Sequence, residues 1–292
     1  MGAFGGVCPR VSPRNSGSTL IDMKIPFIKM EGAGNDYVYV NTFSHSLSLE
    51  QAADLAPLIA DRHFGVGADG LILLAPSDRA DLSMVMWNAD GSRGAMCGNG
   101  LRCVAKLAVD HGVVSEDEML IETDSGLHRA RVLRDDDNQV VGASVEAGAV
   151  RVEATPRTVT VDGAEWSFHR GNVGNPHAVI FIDQELEEVP VSEVGSAFQR
   201  LPEFPDGVNV EFVRVREDDV LEQRTFERGA GETLACGSGA VAAACAARET
   251  DRISEWPVTV ELRGGTLRVE WEAGCYWLMG PARTVFSGKF PN

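Results

Sequence analysis

Lysine is almost missing from this 292-residue chain: Lys24, Lys29, Lys106 and Lys289 are the only four, so nearly all of its 26 basic residues are arginine. Chemistry that needs a Schiff-base lysine, as pyridoxal phosphate does, finds no good candidate, because three of the four lie near a terminus and Lys106 falls deep in a helical pattern. No apolar run approaches the ~18 residues of a membrane span. No C-x-x-C pair occurs among Cys8, Cys97, Cys103, Cys236, Cys245 and Cys275, and no H-x-x-x-H spacing among His45, His63, His111, His128, His169 and His177. A disulfide scaffold, a zinc ribbon and a metal centre are therefore not expected, whereas reduced thiols in a cytoplasm are. Basic surface is lacking too: 43 Asp and Glu residues leave a formal charge of −17, which repels phosphate backbones and anionic lipid. Neither nucleic acid nor a membrane is an expected partner. An acidic, lysine-poor composition suits a salt-rich cytoplasm, with a GC-rich genome as the alternative source of the arginine.

What remains is a soluble globular composition, 44% hydrophobic and 24% charged. The length suffices for two domains, each with its own core. Residues 1–22 are rich in Gly, Ser and Pro without the apolar core of a signal peptide, and read as a disordered extension. Met23 opens the first ordered pattern. Residues 27–41 form two short β-rich runs around a Gly/Asn/Asp turn, and 48–64 has helical spacing that ends at Gly65. LILLAP, LSMVMWN and most of the chain beyond residue 118 alternate as strands joined by Gly or Asp turns. The plan is α+β, mostly antiparallel sheet with two or three substantial helices. GVGADG (65–70) formally matches a dinucleotide fingerprint, but it follows a helix and precedes a strand, the reverse of the required order, and reads as a turn.

An internal repeat carries the chemistry. NADGSRGAMCGNGLRCVAKLAVD (88–110) and ERGAGETLACGSGAVAAACAARE (227–249) share a Gly-rich approach, then C-G-x-G, then an Ala-rich helix, with Asn88 or Glu227 nine positions before the first cysteine. The pattern points to a duplicated lobe that presents Cys97 and Cys236 each at a helix start; two buried cysteines at tight turns are the plainer alternative. A free thiol has a pKa of ~8.5, and a helix N-terminus lowers it through unpaired N–H groups and the positive end of the macrodipole. The glycines let the same amides approach an anion, here a carboxylate. Two such helices facing each other would hold one α-carboxylate with a sulfur on either side of the adjacent Cα. One thiolate could then remove the α-proton while the other thiol returns a proton to the opposite face. Cys103 and Cys245 lie within the same helices and read as core.

With these residues in view, the chain resembles the diaminopimelate epimerase family from about Lys24 to the C-terminus. The matching segments are KMEGAGNDYVYV, ADRHFGVGADG, WNADGSRGAMCGNGLRC, GNPHAVIF, GVNVEF and ERGAGETLACGSG, in the family's order. The resemblance implies that Cys97 and Cys236 are the acid/base pair, that His177 and Glu227 tune them, and that no cofactor or metal is needed. It further implies substrate contacts from Asn35, Asn88, Asn175, Asn209, Glu227 and Arg228, with Gly98, Asn99, Gly237 and Ser238 serving the reacting carboxylate. Asparagines at such turns also serve turn chemistry alone, most readily Asn35 and Asn209. Gly70 stands where some members have a substrate-facing glutamine, so no side-chain role falls to it.

The implied fold has two pseudo-symmetric lobes, each a mainly antiparallel sheet curled around a central helix. The N-terminal lobe is expected over 23–146, with 277–292 returning to it, and the C-terminal lobe over 147–276. Lysine biosynthesis through interconversion of LL- and meso-diaminopimelate is the implied activity; a racemase of the same fold for another amino acid is the alternative. A homodimer is implied as well, and Trp277, near a dimer-contact tyrosine of some members, would supply an aromatic anchor without the hydroxyl.

Overall fold

A computed structural model describes residues 24–217 and 219–291. The stretch 1–22, expected to be a disordered extension, lies outside them. Among the described residues, four helices of eight or more residues interrupt the strands: α1 (Leu49–Ala60), α2 (Gly98–Asp110), α3 (Val191–Phe198) and α4 (Gly237–Glu249). Most strand pairings are antiparallel, as expected, but four are parallel. Asn35–Asn41 lies beside Gly70–Ala75, Leu82–Asn88 beside Glu118–Thr123, Pro176–Phe181 beside Asn209–Glu217, and Val220–Glu227 beside Val258–Leu262. Parallel neighbours cannot be joined by a tight turn and need a crossover. Each of these four crossovers contains one of the four helices, which explains both how few helices there are and where they fall.

Strand alternation decides which helix goes to which face. Ser48 and Gln51 close a capping box at the start of α1, whose Ala52, Leu55, Ala56 and Ile59 pack on Val38, Val40, Leu71 and Leu73. The intervening Tyr39, Ile72 and Leu74 turn to the other face and pack with the core of α2. The second half repeats this arrangement. Val191, Val194 and Phe198 of α3 meet Ala178, Ile180, Val210 and Phe212, while Val179, Val213 and Val260 share a core with α4. Each lobe is thus a sheet wrapped about α2 or α4, with α1 or α3 outside. The inner helix must approach the sheet closely, and Ala105, Ala108, Ala240, Ala243 and Ala247 are fully buried, as the Ala-rich pattern predicted.

Register shows the pseudo-symmetry residue by residue. Val38, Leu71 and Trp87 face one another across three strands of the first lobe, and Ala178, Val210 and Phe226 do so in the second. Counting from these pairs, Asn35 corresponds to Asn175, Tyr37 to His177, Ile72 to Glu211 and Asn88 to Glu227. The lobes join where Val140–Glu146 pairs antiparallel with Cys275–Pro281, and the last strand, Arg283–Phe290, runs back along Ile25–Gly32. Trp277 belongs to the joining strand and is only 2% exposed, covered by the guanidinium groups of Arg131 and Arg129. It is part of the lobe junction.

Enlarging a residue of α4 should be costly because it has no room to move away from its sheet. Ala243→Leu is expected to lower unfolding stability by about 1–3 kcal/mol, read from the midpoint of a denaturant titration. An unchanged midpoint would mean that the helix is less tightly enclosed than described.

Candidate active site

Cys97 and Cys236 occupy the same local geometry. Each is the N-cap of its helix in an extended conformation, with φ −137° and ψ 116° at Cys97 and φ −120° and ψ 111° at Cys236. In each, the sulfur accepts the amide three residues on, Gly100 N–H or Gly239 N–H, at 3.4 Å. A sulfur at the N-cap thus takes the place of the usual Ser or Asp oxygen. The two helix starts also meet. A β-carbon added at Gly98 would lie 3.6 Å from Cδ2 of Leu278, and one added at Gly237 would lie 2.9 Å from the same methyl and 3.5 Å from Oδ1 of Asn99. The C-G-x-G of both lobes therefore borders one space beside the joining strand, and Gly237 cannot carry a side chain without displacing Leu278.

Around Cys97, a polar frame holds the sulfur. Its thiol donates to Asn35 Oδ1 at 3.1 Å, and Asn99 Nδ2 reaches the same oxygen at 3.4 Å. Asn35 Nδ2 donates to Asp69 at 2.6 Å, and Asp69 is held by Arg62, which also binds Asp36. Arg102, fully buried, donates to Asn99 Oδ1 at 2.8 Å. Gly34 with φ 82° and Gly174 with φ 83° make equivalent turns before Asn35 and Asn175, a conformation that costs glycine little. Around Cys236, Ser238 Oγ lies 3.5 Å from the sulfur, Asn175 Nδ2 points to Ser238, and His177 bridges Asn175 Oδ1 and Glu211 Oε1 at 2.9 Å each. Glu227 accepts from Thr233 Oγ1 at 2.6 Å.

The other expected residues sit at the rim. Asn209 bridges the chain, donating to Pro176 O and accepting the Arg228 amide at 3.0 Å. Arg228 is exposed, its guanidinium reaching Asp206 O at 3.4 Å. Asn88 is engaged in its own turn, donating to Ser92 Oγ at 2.9 Å, so its side chain shows turn chemistry here. Opposite it, a β-carbon at Gly70 would come 2.0 Å from Trp87 O, so no side chain fits there. Asp69, Arg62, Arg102 and Glu211 were not singled out by sequence. The carboxylate of Asp69 stood in view within GVGADG, where the turn reading was correct for the backbone but silent on the side chain.

Electrostatics correct one expectation. Burial pushes the Cys97 thiol up, against the Gly100 amide and Arg102, with Glu227 adding to the rise. Burial, followed by the negative charges of Glu227 and Glu211, holds Cys236 well above the ordinary thiol range despite Ser238 and the Gly239 amide. Glu227 is itself pushed up by burial, opposed by its bonds to Thr233 and Cys236. Helix N-termini alone were expected to poise both sulfurs to ionise; desolvation outweighs them. A raised thiol stays protonated to higher pH, so alkylation of both cysteines by iodoacetamide should have its midpoint above about pH 8.5. Peptide mapping of the alkylated protein checks this, and a midpoint below the ordinary value at either sulfur would contradict it.

Comparison with known proteins places this geometry. The family model described as diaminopimelate epimerase matches residues 27–152 and 171–285. A diaminopimelate epimerase of Geobacillus kaustophilus is 42% identical over 279 residues, covering 90% of this chain and 96% of its own. One from Bacillus licheniformis is 41% identical over 285 residues, covering 90% and 97%. Among solved structures, a phenazine biosynthesis protein of the PhzF family from Bacillus anthracis superposes with a TM-score of 0.71 at 15% identity, covering 92% of this chain and 100% of its own. A probable proline racemase from Agrobacterium radiobacter gives a TM-score of 0.66 at 17% identity, covering 90% and 92%. The two structures share the fold. The two sequence relatives and the family model establish more: this chain belongs to the diaminopimelate epimerase family.

Proposed function

We propose that this protein is an isomerase that interconverts LL- and meso-2,6-diaminopimelate without a cofactor, on the way to lysine in the cytoplasm, using Cys97 and Cys236 as the two acid/base groups. The observation that carries the reading is the matched pair of thiol-capped helices bordering one space. A single base would have to change faces to invert a stereocentre, whereas two sulfurs on opposite sides need only opposite protonation states. The α-carboxylate would lie against the amides that open α2 and α4, from Gly98 and Asn99 on one side and Gly237 and Ser238 on the other. As one thiolate takes the α-proton, negative charge spreads onto the carboxylate, and those amides stabilise it without having to reorganise.

The raised thiols fit this chemistry. A desolvated thiolate is a stronger base than one in water, and the neutral partner keeps its proton ready for the opposite face. The distal ammonium and carboxylate of diaminopimelate would be met by Asn35, Asn88, Asn175, Asn209 and Glu227, and by Arg228, whose exposed guanidinium can fold inward as a bidentate partner for the carboxylate. His177 and Glu227 would tune the charge around Cys236. The purified protein should interconvert the two isomers. Cys97→Ser and Cys236→Ser should each lose on the order of 10²–10⁴ in kcat, measured by chiral chromatography; full activity in either variant would remove the mechanism.

A homodimer is part of the same proposal. The strand Arg283–Phe290 is exposed along nearly its whole length, with Val285 at 53% and Phe286 at 45%, and among the described residues it pairs on one edge alone. An unpaired, partly apolar edge favours association with a second strand. Sedimentation should give two chains at micromolar concentration, and Phe286→Asp should shift the population towards one. A monomeric wild type would contradict this assembly.

A further inference from the structure

The two lobes match closely at their thiols but not beneath them. A β-carbon placed on Gly100 would lie 2.8 Å from Cδ1 of Ile72, and one on the equivalent Gly239 would lie 2.6 Å from Oε1 of Glu211. Ile72 and Glu211 therefore fill the same position under the amide that bonds each sulfur, one apolar and one ionisable. The difference extends along the strands. Register equates Met86 with Thr225, Met84 with Gln223 and Tyr37 with His177, so Ile72 and two methionines under Cys97 are replaced by Glu211, a glutamine and a threonine under Cys236. Glu211, His177, Gln223 and Thr225 are all essentially inaccessible, and Glu211 Oε2 and Gln223 Oε1 have no hydrogen-bond partner among the described residues. A buried carboxylate with an unpaired oxygen is unfavourable for folding. Isoleucine at the equivalent place shows that the fold itself does not require it.

We propose that Glu211 is a positioning residue, whose buried carboxylate fixes the His177 ring and through it the Asn175 amide and Ser238 hydroxyl that face Cys236. The carboxylate can only accept, so the ring nitrogen facing it, Nδ1 at 2.9 Å, carries a hydrogen. The amide oxygen of Asn175 also only accepts, so Nε2, 2.9 Å from it, carries a hydrogen too and both ring nitrogens donate; Asn175 Nδ2 then lies 3.5 Å from Ser238 Oγ, itself 3.5 Å from the Cys236 sulfur. The link is a continuous row of side chains from the core to the thiol. Cys97 is reached by rows of a different charge pattern: the guanidinium of Arg102 sets Asn99, and Asp69, held by Arg62, sets Asn35, so arginines stand where the Cys236 row ends in Glu211. Glu211 thereby makes the two sulfurs unlike, although their backbone settings are alike.

This inference rests on the diaminopimelate reading for its kinetic arm but not for its spectroscopic one. Glu211→Met keeps length and removes the acceptor, and Glu211→Gln keeps an acceptor for Nδ1. Ring-nitrogen NMR of histidine-labelled protein should show the His177 Nδ1 hydrogen in the wild type and the glutamine variant, and its loss in the methionine variant. With an equal unfolding midpoint, Glu211→Met should lower kcat about 10²-fold, the size of a misplaced reacting group, while KM stays within about threefold; Glu211→Gln should recover most of kcat. Wild-type kcat in Glu211→Met would overturn the proposal. So would an equal loss in both variants with the Nδ1 hydrogen unmoved. Should the methionine variant not fold, the glutamine variant alone overturns the proposal if it loses as much activity as Cys236→Ser. A wild type inactive on diaminopimelate with the Nδ1 hydrogen in place would instead count against the substrate assignment.

Discussion

An α-helix leaves its first amides without internal partners, and in this protein two such sets open onto one space with a sulfur at the head of each. Much of the architecture serves that placement. A helix can aim its first turn at a central cleft only if it runs inside its own sheet, which demands alanine along its sides and a parallel crossover to carry it there. The second, outer helix of each lobe follows from the same requirement, since the strands beside the inner helix need cover on their other face. Leu278, on the strand that joins the lobes, lies against both helix starts and sets how closely they approach.

The balance of forces at the sulfurs is set by competition between burial and local amides. One amide at 3.4 Å from each sulfur does not offset removal from water, so the thiols sit above their ordinary range. Such a site holds its protons to higher pH than a thiol in water does. Negative charge from Glu227 reinforces the effect at both sulfurs, and from Glu211 at Cys236. Arg102, buried beside Asn99, acts in the opposite sense at Cys97. The pseudo-symmetric backbone therefore carries an asymmetric set of charges.

How much of this could be read in advance depended on whether the signal was local. The two C-G-x-G segments, the Ala-rich faces and the core placement of Cys103 and Cys245 are properties of short stretches, and the structure agrees with them. The four parallel pairings were not legible, because they join strands separated by a whole helix and leave no turn signature. Asp69, Arg102 and Glu211 were missed for the same reason: each acts through a partner distant in sequence or on a neighbouring strand. The burial of Trp277 was not legible either, because its cover comes from Arg129 and Arg131, remote in the chain. The direction of the thiol shifts needed the full burial of the site, which helix position alone cannot supply.

The central claim is that two different groups handle the proton that leaves and the proton that arrives. It is tested most directly by following the reaction in deuterium oxide from one pure isomer and analysing substrate and product early in turnover. Two opposed thiols predict deuterium at the inverted centre of the product well before it enters the recovered substrate. Equal deuterium in both from the start would mean a single exchanging base, and would contradict the account.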